Sequence, residues 1–580
     1  MRVTAIIETD LSPNWQGERG WILEPIQGKP ALEHLLNRLK RSRRVGKIVF
    51  FGPARPENEP FFRRAKEWGI EVFSGDIAEV SHQIGTDTFL RVKGGNMLVD
   101  PAIIDQMIES HRQKGADYTC LVGLPQGTEA EVFSNKAWPT SNNNPSKTPF
   151  PRPQSVEKVA DNLRVNRFEI KDPLMGPALK LGINRKEDAY FLSEIFDLMG
   201  GPIEEISLRE AVEFLLGYQE TLAEKMTAES NLLARKLYNK KLNMIECHLQ
   251  KEELLSRPIW LQLELTSRCN LKCIMCGQKR QDGLRLGDMP LNLFKQTEDV
   301  LSYLPQVSSY GWGESLLHPD YLKMFRIMRK YQADVLLYTN GMRLTEEIAK
   351  EIVVGGCRDL VFSFAGATKE TSEYIRRGLD FSRLVRAVEM VQDLKQRFIS
   401  SKPNLRIAFL AMRKNIRELP QLVRLASSLG VKKILITYLV VNRPELRDES
   451  LYYHQELANE FLKAGLEEAK RLGVSIDLPG FFGRKSDNGS QRKVCYEPWT
   501  NAYISNEGKV IPCCKISTPL GDLSKHTFEE IWNSKAYTNF RQRVNSDHPP
   551  AECRECPFFK YQDINDEKTH LQLDGHWKLR

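Results

Sequence analysis

No stretch of this 580-residue chain approaches the roughly 20 apolar residues needed to span a bilayer. ILITYLVV at 434–441 has the length of a buried strand. The opening MRVTAIIETDLSP has only a short apolar stretch before Glu8 and Asp10, so it lacks the apolar region and cleavage site of a secretory signal. We expect a first β-strand there and a cytoplasmic protein. Charge of one sign is equally scarce: 83 Lys and Arg against 75 Asp and Glu leave +8, far below a nucleic-acid footprint. Neither a membrane nor a nucleic-acid partner is expected. Charged residues at 27% and a mean hydropathy of −0.42 argue against a membrane protein, and 41% hydrophobic residues against global disorder. Internal repeats are absent. Cysteine is sparse and uneven, with eight of eleven in two groups. In a reducing compartment these are no disulfide framework. The other three, Cys120, Cys247 and Cys357, lie in apolar surroundings and read as small packed residues.

The length suits three or four domains at about 150 residues each. Residues 1–204 alternate short strands (VTAII, KIVFF, FLRV, YTCLVGL) with helical stretches, the rhythm of a parallel α/β domain. Residues 139–154 (PTSNNNPSKTPFPRPQ) read as a surface loop without chemistry. RLKRSRR, from Arg38 to Arg44, reads as a solvated helix end favourable to the helix dipole. Residues 205–256 are rich in helix formers and without proline, a helical connector with a break near Gly217. Over 257–484 six strand-plus-helix units recur (WLQLEL, QVSSYGW, DVLLYTN, DLVFSFAG, LRIAFLAM, KILITYLVV). They predict a partial (β/α)6 barrel with reacting groups at the carboxyl ends of its strands. Residues 485–580 form a compact, cysteine-bearing tail.

WLQLEL runs into TSRCNLKCIMCGQ, placing Cys269, Cys273 and Cys276 in a C-x3-C-x2-C loop at a strand's carboxyl end. A thiolate-only trio suits an iron–sulfur cluster or zinc, but structural zinc normally takes four ligands in two separated pairs. Three ligands on a four-iron cube leave one iron open to a bound molecule. This spacing resembles the signature of the radical S-adenosylmethionine superfamily. SYGWGESLLHPD, LLYTNGMRL and VFSFAGATKETSEYIRRG follow in the order of that family's second, third and fourth strand endings. The resemblance covers roughly 255–560. It implies a 4Fe-4S cluster on Cys269, Cys273 and Cys276, and S-adenosylmethionine held by Gly311, Gly313, Glu314, Asn340, Ser363 and Arg376. Of these, the Gly311–Glu314 turn receives the amino end by close backbone approach, Ser363 reaches the ribose or carboxylate, and Arg376 pairs with the carboxylate.

In the tail, Cys495, Cys513 or Cys514, Cys553 and Cys556 give C-x17-C, a long gap and a closing C-x2-C. Four thiolates can coordinate one cube completely, with SNEGKV as a tight turn bringing Cys495 and Cys513 together. A zinc knuckle fits the same spacing. The PCC, GDL, EIWNS and C-x2-C pieces resemble the SPASM and twitch subdomains, which implies a second, auxiliary 4Fe-4S cluster. Cys513 is favoured by the family-like spacing, and Cys514 is left as a spare ligand or a buried residue. The whole arrangement resembles the spiro-SPASM group.

Residues 1–204 resemble a cytidylyltransferase of the surface-sugar type (ILEPIQGKPALEHLLNRLKRSRR, RVKGGNMLVDPAIID, INRKEDAYFL). Gly95 and Asn184 stand where that family carries magnesium-binding aspartates, so the domain reads as degenerate. Together the resemblances imply reductive cleavage of S-adenosylmethionine to a 5′-deoxyadenosyl radical. That radical would abstract hydrogen from a small-molecule or peptide substrate, with a carbohydrate weakly favoured. A flavodoxin or ferredoxin would supply the electron, and the auxiliary cluster would accept one. No catalytic acid or base is assigned. The alternatives are a sugar-nucleotide cytidylyltransferase with an iron–sulfur accessory module, and a non-catalytic zinc-binding interaction protein.

Overall fold

Short β-branched and aromatic runs separated by helical stretches build two compact units in the computed structural model, Met1–Thr221 and Leu222–Arg580. The structure describes residues 3–12, 21–74, 84, 86–137, 163–277, 286–483, 494–554, 556, 565 and 567–570. The loop expected at 139–154 lies outside them.

The first unit is built on β1 (Val3–Glu8), β2 (Val45–Phe51), β3 (Glu71–Phe73), β4 (Thr88–Lys93), β5 (Tyr118–Val122), β6 (Glu131–Ser134) and β7 (Val165–Glu169), in the order β3-β2-β1-β4-β6-β5-β7. The sheet is mixed rather than parallel, because β6 runs antiparallel to both β4 and β5. The cause is chain length. Residues 123–130 are too few for the crossover that a parallel neighbour requires, so the chain must turn back.

The basic run also differs from expectation. Arg38, in α1 (Ala31–Lys40), is 1% exposed. Its guanidinium donates to the carbonyls of Val99 at 2.8 Å, Ile203 at 2.9 Å and Ile206 at 2.6 Å. Arg44 pairs with Glu109 at 2.8 Å. A planar fork with five donors ties three backbone segments into the core, which a solvated helix end would not need. Gly95 and the 183–184 segment do come together: Ile183 N–H donates to Gly95 O at 3.0 Å. A Cβ on Gly95 would stand 2.6 Å from Ile183 O, so no aspartate fits there without moving the backbone.

The expected helical connector is not a separate body. α2 (Leu208–Gly217) ends at the glycine singled out above and belongs to the first unit, α3 (Gln219–Ala228) spans the division, and α4 (Leu232–His248) belongs to the second. Buried polar side chains fasten α4 there. Asn243 donates to Trp499 O at 2.7 Å, and Glu246 accepts the Leu255 and Ser256 N–H groups at 2.7 and 3.0 Å.

The second unit carries β8 (Trp260–Leu263), β9 (Gln306–Ser309), β10 (Asp334–Thr339), β11 (Asp359–Phe364), β12 (Asn404–Ala411), β13 (Lys433–Tyr438), β14 (Ser475–Asp477), β15 (Asn501–Ile504), β16 (Lys509–Ile511) and β17 (Gly521–Asp522). Their order is β14-β13-β12-β11-β10-β9-β8-β15-β16-β17. The strands β8 to β14 are parallel and in chain order, so a short seventh strand extends the six expected. The tail does not stand apart. β15 pairs in parallel with β8 (Leu261↔Ala502), and Trp499, Trp532 and Tyr537 share one core with Leu261, Val335, Phe362 and Ile434. The EIWNS piece is an anchor: Trp532 Nε1 donates to Ser256 O at 3.0 Å, and the Asn533 amide exchanges hydrogen bonds with the Leu254 backbone at 3.0 and 2.7 Å.

The strands alternate. Leu261, Leu263, Val307, Val335, Leu337, Leu360 and Phe362 enter the core, while the intervening Gln262, Glu264, Ser308 and Asp359 are buried polar residues. At the amino ends Arg358 bridges Asp334, Asp359 and Gln306 at 3.4, 2.7 and 2.9 Å, and Arg406 meets Asp359 at 2.8 Å. That network cross-links the polar residues at one end of the strands. The cysteine loop lies at the other.

Candidate functional site

The chain leaves β8 and enters the loop carrying Cys269, Cys273 and Cys276, as residues exposed, buried and half-buried in turn. Two backbone bonds fix the loop against α5 (Lys369–Ile375) and the residues after it: Lys272 N–H to Arg377 O and Ile274 N–H to Ile375 O, each at 2.9 Å. Arg376 caps this helix and brings Nη1 to 3.9 Å from Cys273 Sγ. Arg443 donates to Ile274 O, and Asn442 Nδ2 to Met275 O at 3.3 Å. Burial pushes the Cys269 thiol up to about 11, and the nearby charges of Glu314, Cys273 and Cys276 act in the same direction. Loading a metal cluster would therefore expel a proton from it.

The glycine turn also meets a steric need within the chain. A Cβ on Gly313 would stand 2.3 Å from Thr266 O and 2.5 Å from Arg268 O, and one on Gly311 would stand 2.6 Å from Glu264 Cγ. The chain's own loop occupies the space that these glycines vacate. Gly313→Ala should therefore destabilise the protein by about 3 kcal/mol, as overpacking does where backbone cannot yield. A denaturant titration with an unchanged midpoint would contradict this.

Glu314 is likewise engaged within the protein. It is 4% exposed, and its carboxylate accepts Thr339 Oγ1 at 2.7 Å and Asn340 N–H at 2.8 Å. Burial pushes its pKa up against these hydrogen bonds and the Arg376 charge. Asn340 Nδ2 donates to Asn270 Oδ1 at 3.0 Å. Glu314 and Asn340 thus lock the β9, β10 and cysteine-loop ends together. Ser363, half-buried, sits near the carboxyl end of β11 in register with Ala408.

Three polar atoms bordering the loop are buried without a partner among the described residues: Arg376 Nε, Arg443 Nε and Asn442 Oδ1. Orphaned groups of this kind are costly. Their gathering beside three thiols fits a site whose ligand would complete them.

Several neighbours escaped the sequence reading. Glu264, 2% exposed, accepts Trp312 N–H at 2.8 Å; burial pushes its pKa up against bonds from Trp312, Tyr503 and Asn506. Tyr310 and Tyr338 pack with ring centroids 4.7 Å apart. The period-two placement of Gln262 and Glu264 between core leucines was the available signal for a polar lining.

In the tail, SNEGKV forms the β15–β16 turn, with Ser505 N–H bonded to Lys509 O at 3.0 Å. Cys495, Cys513, Cys553 and Cys556 then line a single cavity, together with the apolar Pro498, Pro512, Ile516, Phe540 and Val544 and the charged Glu497, Lys515 and Glu552. Cys514 is exposed and not part of that lining. Burial pushes the Cys495 and Cys513 thiols well up. Four thiols around one space fit a cube fully ligated by cysteine. Cys120, Cys247 and Cys357 are buried, as packed residues should be.

A run of parallel strands thus ends beside a three-cysteine loop, and four further cysteines line one cavity in the tail; among the described residues no three or more metal-binding side chains close around a single metal ion. Residues 263–402 match the radical SAM superfamily, and residues 495–557 match the SPASM iron–sulfur cluster-binding domain. The chain thus carries a radical SAM domain followed by an iron–sulfur SPASM domain, which make it an S-adenosylmethionine-dependent enzyme with S-adenosylmethionine, a 4Fe-4S cluster and auxiliary iron–sulfur as cofactors. It is 26% identical over 340 residues to the tungsten-containing aldehyde ferredoxin oxidoreductase cofactor-modifying protein of Pyrococcus furiosus, covering 53% of this chain and 91% of that protein. It is 23% identical over 317 residues to the PqqA peptide cyclase of Gluconobacter oxydans, covering 52% and 83%. Among solved structures, a cytidylyltransferase from Leptospira borgpetersenii is similar at 19% identity and a TM-score of 0.32, covering 38% of this chain and 95% of that one. No described helix is long and apolar enough to cross a membrane.

Proposed function

We propose that Cys269, Cys273 and Cys276 hold the 4Fe-4S cluster at which S-adenosylmethionine binds, and that Cys495, Cys513, Cys553 and Cys556 hold an auxiliary 4Fe-4S cluster. The single observation that carries the second assignment is the cavity that these four thiols share. When bound, the first cluster supplies the electron that splits S-adenosylmethionine into methionine and a 5′-deoxyadenosyl radical, which takes a hydrogen atom from the substrate.

The chain's own residues set the conditions for this. Arg376 lies against Cys273 and offers a cation to thiolate sulfur and to the carboxylate of S-adenosylmethionine. Asn442 and Arg443 brace the loop through the Met275 and Ile274 carbonyls while each keeps a free polar atom beside it. Glu314 and Asn340 hold the strand ends in register around the loop, a supporting role rather than direct contact. Ser363, at a strand end, is suited to the cofactor's ribose or carboxylate.

The substrate we infer is a peptide or a small molecule. The relatives' names support a peptide or a cofactor precursor, and the resemblance of residues 1–204 to a cytidylyltransferase supports a carbohydrate. With Gly95 closed by Ile183 O, that unit serves binding rather than nucleotide transfer. We place the enzyme in the cytoplasm with an electron-carrier protein as donor.

Anaerobic purification and reconstitution test the reading. About eight irons and eight sulfides per chain with little zinc, and 5′-deoxyadenosine formed on reduction, are expected. Four irons with one zinc would make the tail site structural. Zinc alone would refute the reading.

A further inference from the structure

The surface beside the cysteine loop carries three exposed cations and an exposed aromatic ring. Lys272, Arg377 and Lys414 are exposed, and none pairs with a carboxylate among the described residues. Carboxylates around them are engaged: Glu373 accepts Phe381 N–H at 3.1 Å, Asp380 accepts Arg383 N–H at 2.9 Å, Glu418 accepts Ala367 N–H at 2.6 Å, Glu449 accepts Lys414 N–H at 2.9 Å, and Asp448 pairs with Arg413.

These cations are contiguous. Lys272 N–H bonds to Arg377 O at 2.9 Å, Tyr374 stands three residues before Arg377, and Lys414 Nζ lies 4.7 Å from the centre of the Tyr374 ring. Tyr374 is 50% exposed. An exposed aromatic among unpaired cations is the composition of a binding hot spot for an acidic protein surface. Directly beneath lies Cys273, one residue from Lys272 and with its thiol 3.9 Å from the guanidinium of Arg376.

We propose that Lys272, Arg377, Lys414 and Tyr374 form the docking surface for an acidic one-electron carrier protein, which delivers its electron to the cluster behind Cys273. The inference rests on the assignment of Cys273 as a cluster ligand. The carrier is oxidised by one electron and the cluster is reduced by one; no atom is transferred. Charge complementarity selects this occupant. Carriers act through small, short-lived encounters, which complementary charge steers and accelerates 10- to about 1,000-fold at low salt.

The test is stopped-flow reduction of the reconstituted enzyme by two donors: reduced flavodoxin, which is acidic, and photoreduced 5-deazariboflavin, which is small and uncharged. The variant combines Lys272→Glu, Arg377→Glu and Lys414→Glu. We expect flavodoxin reduction to slow at least about tenfold at low ionic strength, a gap that narrows as salt screens the charges, while the deazariboflavin rate and iron content stay at wild-type values. An unchanged flavodoxin rate overturns the docking surface and leaves these cations to an acidic substrate. If charge reversal lowers the iron content, the corresponding glutamine substitutions decide on the same readouts. Wild-type enzyme that holds no iron refutes the cluster assignment itself, an outcome separate from a failure of the docking surface.

Discussion

Alanine at Cys269, Cys273 and Cys276 together reduces S-adenosylmethionine cleavage to background and removes about four irons per chain. The loop's backbone does not depend on the thiols: Lys272 and Ile274 are fixed to Arg377 and Ile375 by main-chain bonds, and Cys269 is exposed. Far-ultraviolet dichroism and the thermal midpoint should therefore stay near wild type while the chemistry is lost. The measurement is 5′-deoxyadenosine formed per chain under dithionite, alongside iron and sulfide. Cleavage at the wild-type rate in the triple variant would refute the site.

The second large effect separates two adjacent residues. Cys513→Ala should lose about four irons and keep the S-adenosylmethionine site, whereas Cys514→Ala should keep all of about eight. The reason is the turn. β16 ends at Ile511 and residues 512–515 bend and turn, which puts Cys513 on the cavity lined by Cys495, Cys553 and Cys556 and leaves Cys514 exposed outside that lining. Mössbauer spectra of the two variants, with iron counts, decide the matter. Equal loss in both would mean that the two thiols share the cluster.

Much of this was legible beforehand because it is local. The first cysteine spacing is short, and the eight residues from Cys269 to Cys276 inclusive keep three thiols within one loop. The strands of the second unit announce themselves by alternating apolar and polar residues, and the SNEGKV turn by its glycine. Glu314 and Gly313 show the limit. Their types were noticed, but Glu314 turns inward to Thr339 and Asn340, and Gly313 makes room for Thr266 and Arg268. Partners so distant in the chain leave no mark on spacing.

Sequence alone therefore determined the grouping: that eight cysteines fall into a group of three and a group of five, the second with an adjacent pair, and that α/β units carry the first. Tertiary structure decided three matters. The tail extends the main sheet through β15 and β8 instead of standing apart, because strand pairing joins segments some 240 residues apart. Arg38 is a core tether rather than a solvated charge, because three carbonyls from elsewhere in the chain converge on it. Cys513, not Cys514, faces the shared cavity, because only the folded backbone fixes to which side each of two neighbouring side chains turns.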